Sequence, residues 1–237
     1  MRRSYRQPPT RRPHIARVLS VAATLLLALS LSACTISLPA IGVTQGSGTE
    51  KTETVAVSGF TAVTLKSIGT LNIRQTGTES LQITTDDNIL PMLTATVSGG
   101  VLQLGLQGTN IPRPTNGITW DLTVNNLTSV ALTGAGRINI QELKTSSLAS
   151  NISGAGTMTA TGQATSQSIT VTGAGNYNGR NFTTSNATVN ISGAGHAAVN
   201  ASETLNATVS GAGIVTYYGT PKVTQQISGP GVVRQAP

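Results

Sequence analysis

The sequence predicts an all-β fold, a single-stranded parallel β-helix or β-solenoid with about 18–20 residues per coil. Three observations predict it. A glycine-centred phrase returns six times after residue 130, as "ALTGAGRINI", "NISGAGTMTA", "TVTGAGNYNG", "NISGAGHAAV", "TVSGAGIVTY" and "QISGPGVVRQ". Its first glycines, Gly134, Gly154, Gly173, Gly193, Gly211 and Gly229, lie 20, 19, 20, 18 and 18 residues apart. The residues flanking each phrase alternate apolar and polar, which is the period of extended chain and not of helix. Aromatic residues are only 3% of the chain, so Val, Ile, Leu and Ala must build the core.

The chain opens basic. Arg2, Arg3, Arg6, Arg11, Arg12 and Arg17 precede the apolar run "VLSVAATLLLALSLSAC". A positive n-region, an apolar h-region too short to favour a spanning helix, and small residues before a cysteine are the parts of an export signal. Leu31-Ser32-Ala33-Cys34 resembles a bacterial lipobox. That implies a signal peptide over 1–33 and lipid attachment at Cys34; the competing readings are a secretory peptide cut elsewhere and a lone buried thiol. Two or three acyl chains, each contributing ~0.8 kcal/mol per buried CH₂, hold a protein stably on a membrane. Cys34 is the only cysteine, so no disulfide or thiolate metal site can form within the chain.

Residues 34–54, "CTISLPAIGVTQGSGTEKTET", have no sustained period and read as a flexible tether, with the folded domain over 55–237. Next, "FTAVTLKSIGTLNIRQTG" places Val63, Leu65, Leu71 and Ile73 on one side of extended chain. Asp86-Asp87-Asn88 before an apolar run reads as an N-cap with a short helix or turn behind it; a calcium loop would need a glycine and a terminal glutamate that are missing. "TATVSGGVLQLGL" reads as a hairpin around Gly99-Gly100. "GITWDLTV" puts Ile118, Trp120, Leu122 and Val124 on one face, which makes the only tryptophan a core residue.

The repeat columns carry the physics of the second half. Two residues before the first glycine stand Leu132, Ile152, Val171, Ile191, Val209 and Ile227, an inward aliphatic ladder. One residue before it stand Thr133, Ser153, Thr172, Ser192, Ser210 and Ser228, a hydroxyl that alternation turns outward. The second glycines, Gly136, Gly156, Gly175, Gly195, Gly213 and Gly231, complete a bend at which positive φ or close backbone approach demands glycine. One coil cannot bury its own face, and a stack of six or seven can. "LKSIGTLNI" (65–73) aligns with "LTGAGRINI" (132–140) as a degenerate coil, with Ser67 and Gly69 at the glycine positions. This favours one continuous domain and leaves two or three strands per coil open.

The "SGAG" succession, the lead-in "GFTAVTLKSIGTLNIRQTG", "TDDNILPML" and the ending "YYGTPKVTQQISGPG" together resemble the putative auto-transporter adhesin head GIN domain, over roughly residues 55–234. The resemblance implies a right-handed β-helix-like fold in an exported bacterial envelope protein, often a lipoprotein. It implies adhesion by name only and brings no catalytic residues. Pro230 departs from the middle residue of the phrase.

Charge narrows the function classes. Beyond residue 17 nine basic residues face eight acidic ones, which does not support a nucleic-acid groove. Gly-x-Gly recurs between strands and opens no helix, which argues against a nucleotide fingerprint. After residue 130 the only carboxylates are Glu142 and Glu203, and His196 is the only histidine beyond residue 33, so an acid–base pair, a triad with Asp121 or a histidine metal site lacks partners. A polysaccharide-active enzyme is the remote alternative, and no cofactor is expected. The outward column Asn151, Thr170, Asn190 and Thr208, continued by Gln226, is the candidate ligand face, suited to glycan or envelope surface. Such ladders also stabilise solenoids by themselves. The other reading is an envelope scaffold that binds a protein partner through its edges or through Tyr217-Tyr218, although the favoured reading of those tyrosines is a C-terminal cap over the solenoid's open edge.

Overall fold

The computed structural model describes residues 42–237 and consists of strands with one short 3-10 turn. Residues 1–33, read from the sequence as a signal peptide, and Cys34 lie outside the described residues. The strands are β1 (Val43–Gln45), β2 (Glu50–Val55), β3 (Ala62–Leu65), β4 (Thr70–Gln75), β5 (Ser80–Asp86), β6 (Leu93–Ser98), β7 (Val101–Leu106), β8 (Ile111–Arg113), β9 (Thr119–Val124) and β10 (Ser129–Leu132). The long strands β11 (Arg137–Ile152), β12 (Thr157–Val171), β13 (Asn176–Gly193) and β14 (His196–Gly211) follow, and then β15 (Ile214–Tyr218), β16 (Lys222–Ser228) and β17 (Val232–Gln235). They stack as a β-solenoid of about five turns.

Each full coil has three legs, which answers the question the repeat left open. In β11 the first leg pairs Arg137 to Ile140 with Thr157 to Ala160, a second pairs Leu143 to Thr145 with Gly162 to Ala164, and a third pairs Ser147 to Ile152 with Ser166 to Val171. Only the corner between third and first legs carries the glycine phrase. The corner after Ile140 is a register shift, with Glu142 at φ 54. It varies from coil to coil, so no motif marks it.

The glycine corners are explained more by close approach than by φ. A Cβ on Gly173 would lie 2.6 Å from the Gly154 carbonyl oxygen, and one on Gly193 would lie 2.6 Å from that of Gly173. First glycines therefore stack carbonyl over Cα. A Cβ on the second glycine meets the aliphatic ladder of the coil before: on Gly195 it would lie 2.5 Å from Val171 Cγ1, and on Gly213 2.5 Å from Ile191 Cγ2. The β-branched column and the second glycine thus require each other. The degenerate coil takes its expected place, with Leu65 beside Leu132 and Leu71 beside Ile138.

Residues 74–128 make an excursion that builds the first coils. The hairpin β6–β7 turns through Gly99 and Gly100, both at positive φ, and β7 pairs in parallel with β3. β9 pairs in parallel with β4, and β5 and then β2 add antiparallel. One core runs from Val57 to Val215, with Trp120, Tyr177, Phe60 and Phe182 its largest fully buried side chains. Tyr177 fits because Gly179 stands beside it; a Cβ there would lie 2.6 Å from the ring.

Three expectations are corrected. The tether does not extend to residue 54: β1 pairs with β8, and β2 pairs antiparallel with β5. Every β2 residue before Val55 is exposed, so this edge strand shows no apolar period, and Glu50, Lys51 and Glu53 guard it against further pairing. Asp86 caps no helix. The turn Leu90–Met92 has Ile89 at its N-cap with no side-chain hydrogen bond. Instead the buried Asp86 carboxylate accepts the N–H of Gly48 at 2.8 Å and of Thr115 at 2.7 Å, and the Asn116 side-chain amide at 3.1 Å. Ser47 and Asn88 close the same knot, which locks residues 45–48 to the fold. Finally, Tyr217 and Tyr218 are not the terminal cap, because β17 pairs with β15 outside them; Tyr218 lies under the Arg180 guanidinium at 5.0 Å.

Candidate functional site

The third legs of β10 to β14 and β16 form a flat parallel sheet. Register places Asn151 beside Thr170, Thr170 beside Asn190, Asn190 beside Thr208, and Thr208 beside Gln226. The sequence-derived ladder is therefore one continuous row, with rungs about 4.8 Å apart. A second row, Ser168, Thr188, Asn206 and Thr224, runs beside it. From β10 to β14 this face carries hydroxyl, amide and methyl groups and no charge. Among the described residues, no side-chain hydrogen bond ties Asn151, Thr170, Asn190 and Thr208 to one another. Their donors and acceptors face solvent.

The first legs behave differently. Asn139 Nδ2 donates to Asn72 Oδ1 at 2.9 Å, and Asn72 Nδ2 donates to Asp121 Oδ1 at 2.8 Å. Arg74 forks onto Gln141 Oε1 from Nε and Nη2. Asn72, Arg74, Asp121 and Gln141 line a cavity of 360 Å³ over β4, β5 and β9, but their polar groups are largely satisfied by one another and by Asn139. Asp121 is thus held by an amide and is far in register from His196, which pairs with Asn176 and Ile214. His196 is half-buried and reaches toward Asn176 and Thr216. Burial, with Arg234 adding, lowers its pKa from 6.5.

The second legs hold what sequence reasoning missed. Two polar cavities of 910 and 610 Å³ share Lys144 and Gln163 and run across the coils. No repeated motif marks this groove, because its corners differ in each turn. The positive φ of Glu142, beside those of Gly77 and Gly162, leaves no mark in the sequence. Among the described residues no group of three or more His, Cys, Asp or Glu gathers to hold a metal, and no helix is long and apolar enough to cross a membrane.

Comparisons with known proteins agree with this architecture. A putative adhesin from Bacteroides fragilis NCTC 9343 superposes with TM-score 0.69 at 22% identity, covering 81% of this chain and all of its own. A putative lipid binding protein from Parabacteroides distasonis ATCC 8503 gives TM-score 0.55 at 18% identity, over 82% of this chain and 99% of its own. A putative adhesin from Parabacteroides merdae ATCC 43184 gives TM-score 0.50 at 20% identity, over 83% of this chain and all of its own. At these identities the likeness is one of fold. Comparison with curated proteins finds no match. Residues 59–221 match the family described as "Putative auto-transporter adhesin, head GIN domain", and the chain belongs to that family.

Proposed function

We propose that the protein is an exported, lipid-anchored binding module of the bacterial envelope, which holds neutral glycan against its flat third-leg face and catalyses nothing. The carrying observation is the uncharged row Asn151, Thr170, Asn190 and Thr208, whose hydrogen-bonding groups are left to solvent. A glycan hydroxyl both donates and accepts, as do amides and Ser/Thr hydroxyls, so such a face matches sugar without needing charge. The adhesin description of the family and of several fold relatives supports a surface-binding role. The lipobox-like Leu31-Ser32-Ala33-Cys34 supports the anchor.

The test is binding of the full chain, purified in detergent, to cell-wall polysaccharide and a glycan array. Saturable binding that Asn151→Trp, Thr170→Trp and Asn190→Trp each weaken is the expected result. Absence of binding to every glycan would remove the reading. For the anchor, mass spectrometry of the membrane-bound protein should show acyl mass that Cys34→Ala abolishes; an unlipidated protein that stays on the membrane would refute it.

A further inference from the structure

We infer that the second-leg groove is a separate binding site for one linear, unbranched neutral polysaccharide lying parallel to the solenoid axis. This rests on the reading that the protein binds glycans, but assigns a different surface. The groove floor presents one side chain per coil: Gln75, Lys144, Gln163, Thr183 and Asn200. Lys144 is in register with Gln163, Gln163 with Thr183 and Thr183 with Asn200, and the Lys144 N–H bonds Gln75 Oε1 at 2.8 Å. The row spans four gaps, so it extends roughly 19 Å with a repeat of about 4.8 Å.

That repeat selects the ligand. An extended peptide advances about 3.4 Å per residue and returns a side chain to one face about every 6.8 Å, out of step with the coils. An extended chain of β-linked pyranoses advances by about one ring per coil, so each ring meets one floor residue, whether amide, hydroxyl or the Lys144 ammonium. The lining is nearly charge-neutral, with one carboxylate, Glu142, and one ammonium, Lys144. A polyanionic chain would gain little here and a neutral one loses nothing.

Glu142 is the second, independent observation. It is the only non-glycine residue at positive φ among those described, held at 54° with its N–H on Thr161 Oγ1 at 3.0 Å. Glycine would occupy this conformation without strain. A strained residue that stability does not favour marks a place where its side chain is used. At the groove wall, the Glu142 carboxylate accepts two vicinal hydroxyls of a ring, and the exposed Gln163 amide offers both donor and acceptor to the next.

The experiment titrates the full chain in detergent with neutral β-linked hexose oligomers of two to six units. Affinity should rise with each unit up to about five and then level, since the floor has about five positions. Gln163→Trp should abolish this binding. Glu142→Gly should leave the thermal midpoint equal or higher while affinity for the longest oligomer falls roughly tenfold, the scale of a lost charged hydrogen bond. Asn190→Trp, on the flat third-leg face, should leave the length dependence in place even where it weakens total binding. Length-independent binding, or loss only in Asn190→Trp, would overturn the groove site and leave the flat-face reading standing. No oligomer or polysaccharide bound at all would overturn both. Equal binding of an extended polar peptide, blocked by Gln163→Trp, would overturn the glycan assignment.

Discussion

Gly213→Ala isolates why the second glycine of a bend cannot carry a side chain. The new Cβ would lie 2.5 Å from Ile191 Cγ2 and 3.1 Å from the Gly195 carbonyl oxygen. Carbon atoms rest about 3.5–4.0 Å apart, so roughly 1 Å of relief is needed. The backbone resists giving it, because the Ile214 N–H bonds Gly195 O at 3.0 Å and β14 pairs with β15 from His196 onward. The strain falls on Ile191, which is 2% exposed, and overpacking of this kind costs about 1–3 kcal/mol. Ile191→Ala removes the methyl in the way at a cost of about 2–5 kcal/mol. The double variant should therefore be less destabilised than the sum of the singles, by about 1 kcal/mol or more. Urea unfolding of the four proteins measures this through the shift in midpoint at constant slope. Gly211→Ala is the control: at φ 124, with the Gly193 carbonyl 2.7 Å from its Cβ, it meets backbone that no side-chain truncation relieves. Additivity of Gly213→Ala and Ile191→Ala within about 0.5 kcal/mol would refute the steric account.

Asp86 should set part of the acid limb of stability. Desolvation raises its pKa, but hydrogen bonds from Asn116, Gly48 and Thr115 outweigh this and hold it below 3.8, so its contribution is present above 3.8 and is lost as pH falls through the folded value. Asp86→Asn should flatten that limb in a pH series of thermal midpoints. His196 has the opposite chemistry: its folded pKa lies below 6.5, so the unfolded chain takes up the proton first and stability declines as pH drops from 6.5 toward the folded value. His196→Gln should remove that decline, and an unchanged slope would discard the assignment. Gly179→Ala should cost about 1–3 kcal/mol by forcing its methyl onto the Tyr177 ring, and Tyr177→Leu in the same chain should recover part of it.

The parts of the fold that repeat were legible, and the parts that occur once were not. Six copies of one corner fixed the coil length, the inward column and the stacking of Leu65 on Leu132. The first half was harder, because β2, β5 and β6 each join through an antiparallel pairing and close the stack in their own way. β2 reads as linker because both its faces meet water. Asp86 reads as a helix cap because an Asp-Asp-Asn run before apolar residues looks the same whether it binds its own backbone or that of two distant loops. Of the candidate surfaces, the ladder through Asn151 was visible as a column, whereas the groove required knowing that Lys144 and Gln163 are neighbours across a coil whose second corner has no motif.

A polar ladder can hold a solenoid together or hold a ligand, and the hydrogen bonds separate the two uses within one molecule. On the first legs the amides are spent on one another: Asn139 on Asn72, Asn72 on Asp121, and Arg74 on Gln141. A sugar arriving there would have to break bonds that already exist, and a net hydrogen bond is worth only about 0.5–1.5 kcal/mol, so little would be gained. On the third legs and along the groove floor, Asn151, Asn190 and Gln163 face water at similar spacing and are not so engaged. Exchanging water for a hydroxyl at those three loses no internal bond, whereas Gln75 and Asn200 of the groove floor are already bonded, to Asn125 O and Arg180 O. The same residue types on the same repeat thus divide into a structural ladder and a receptive one, according to which neighbours the coil places beside them.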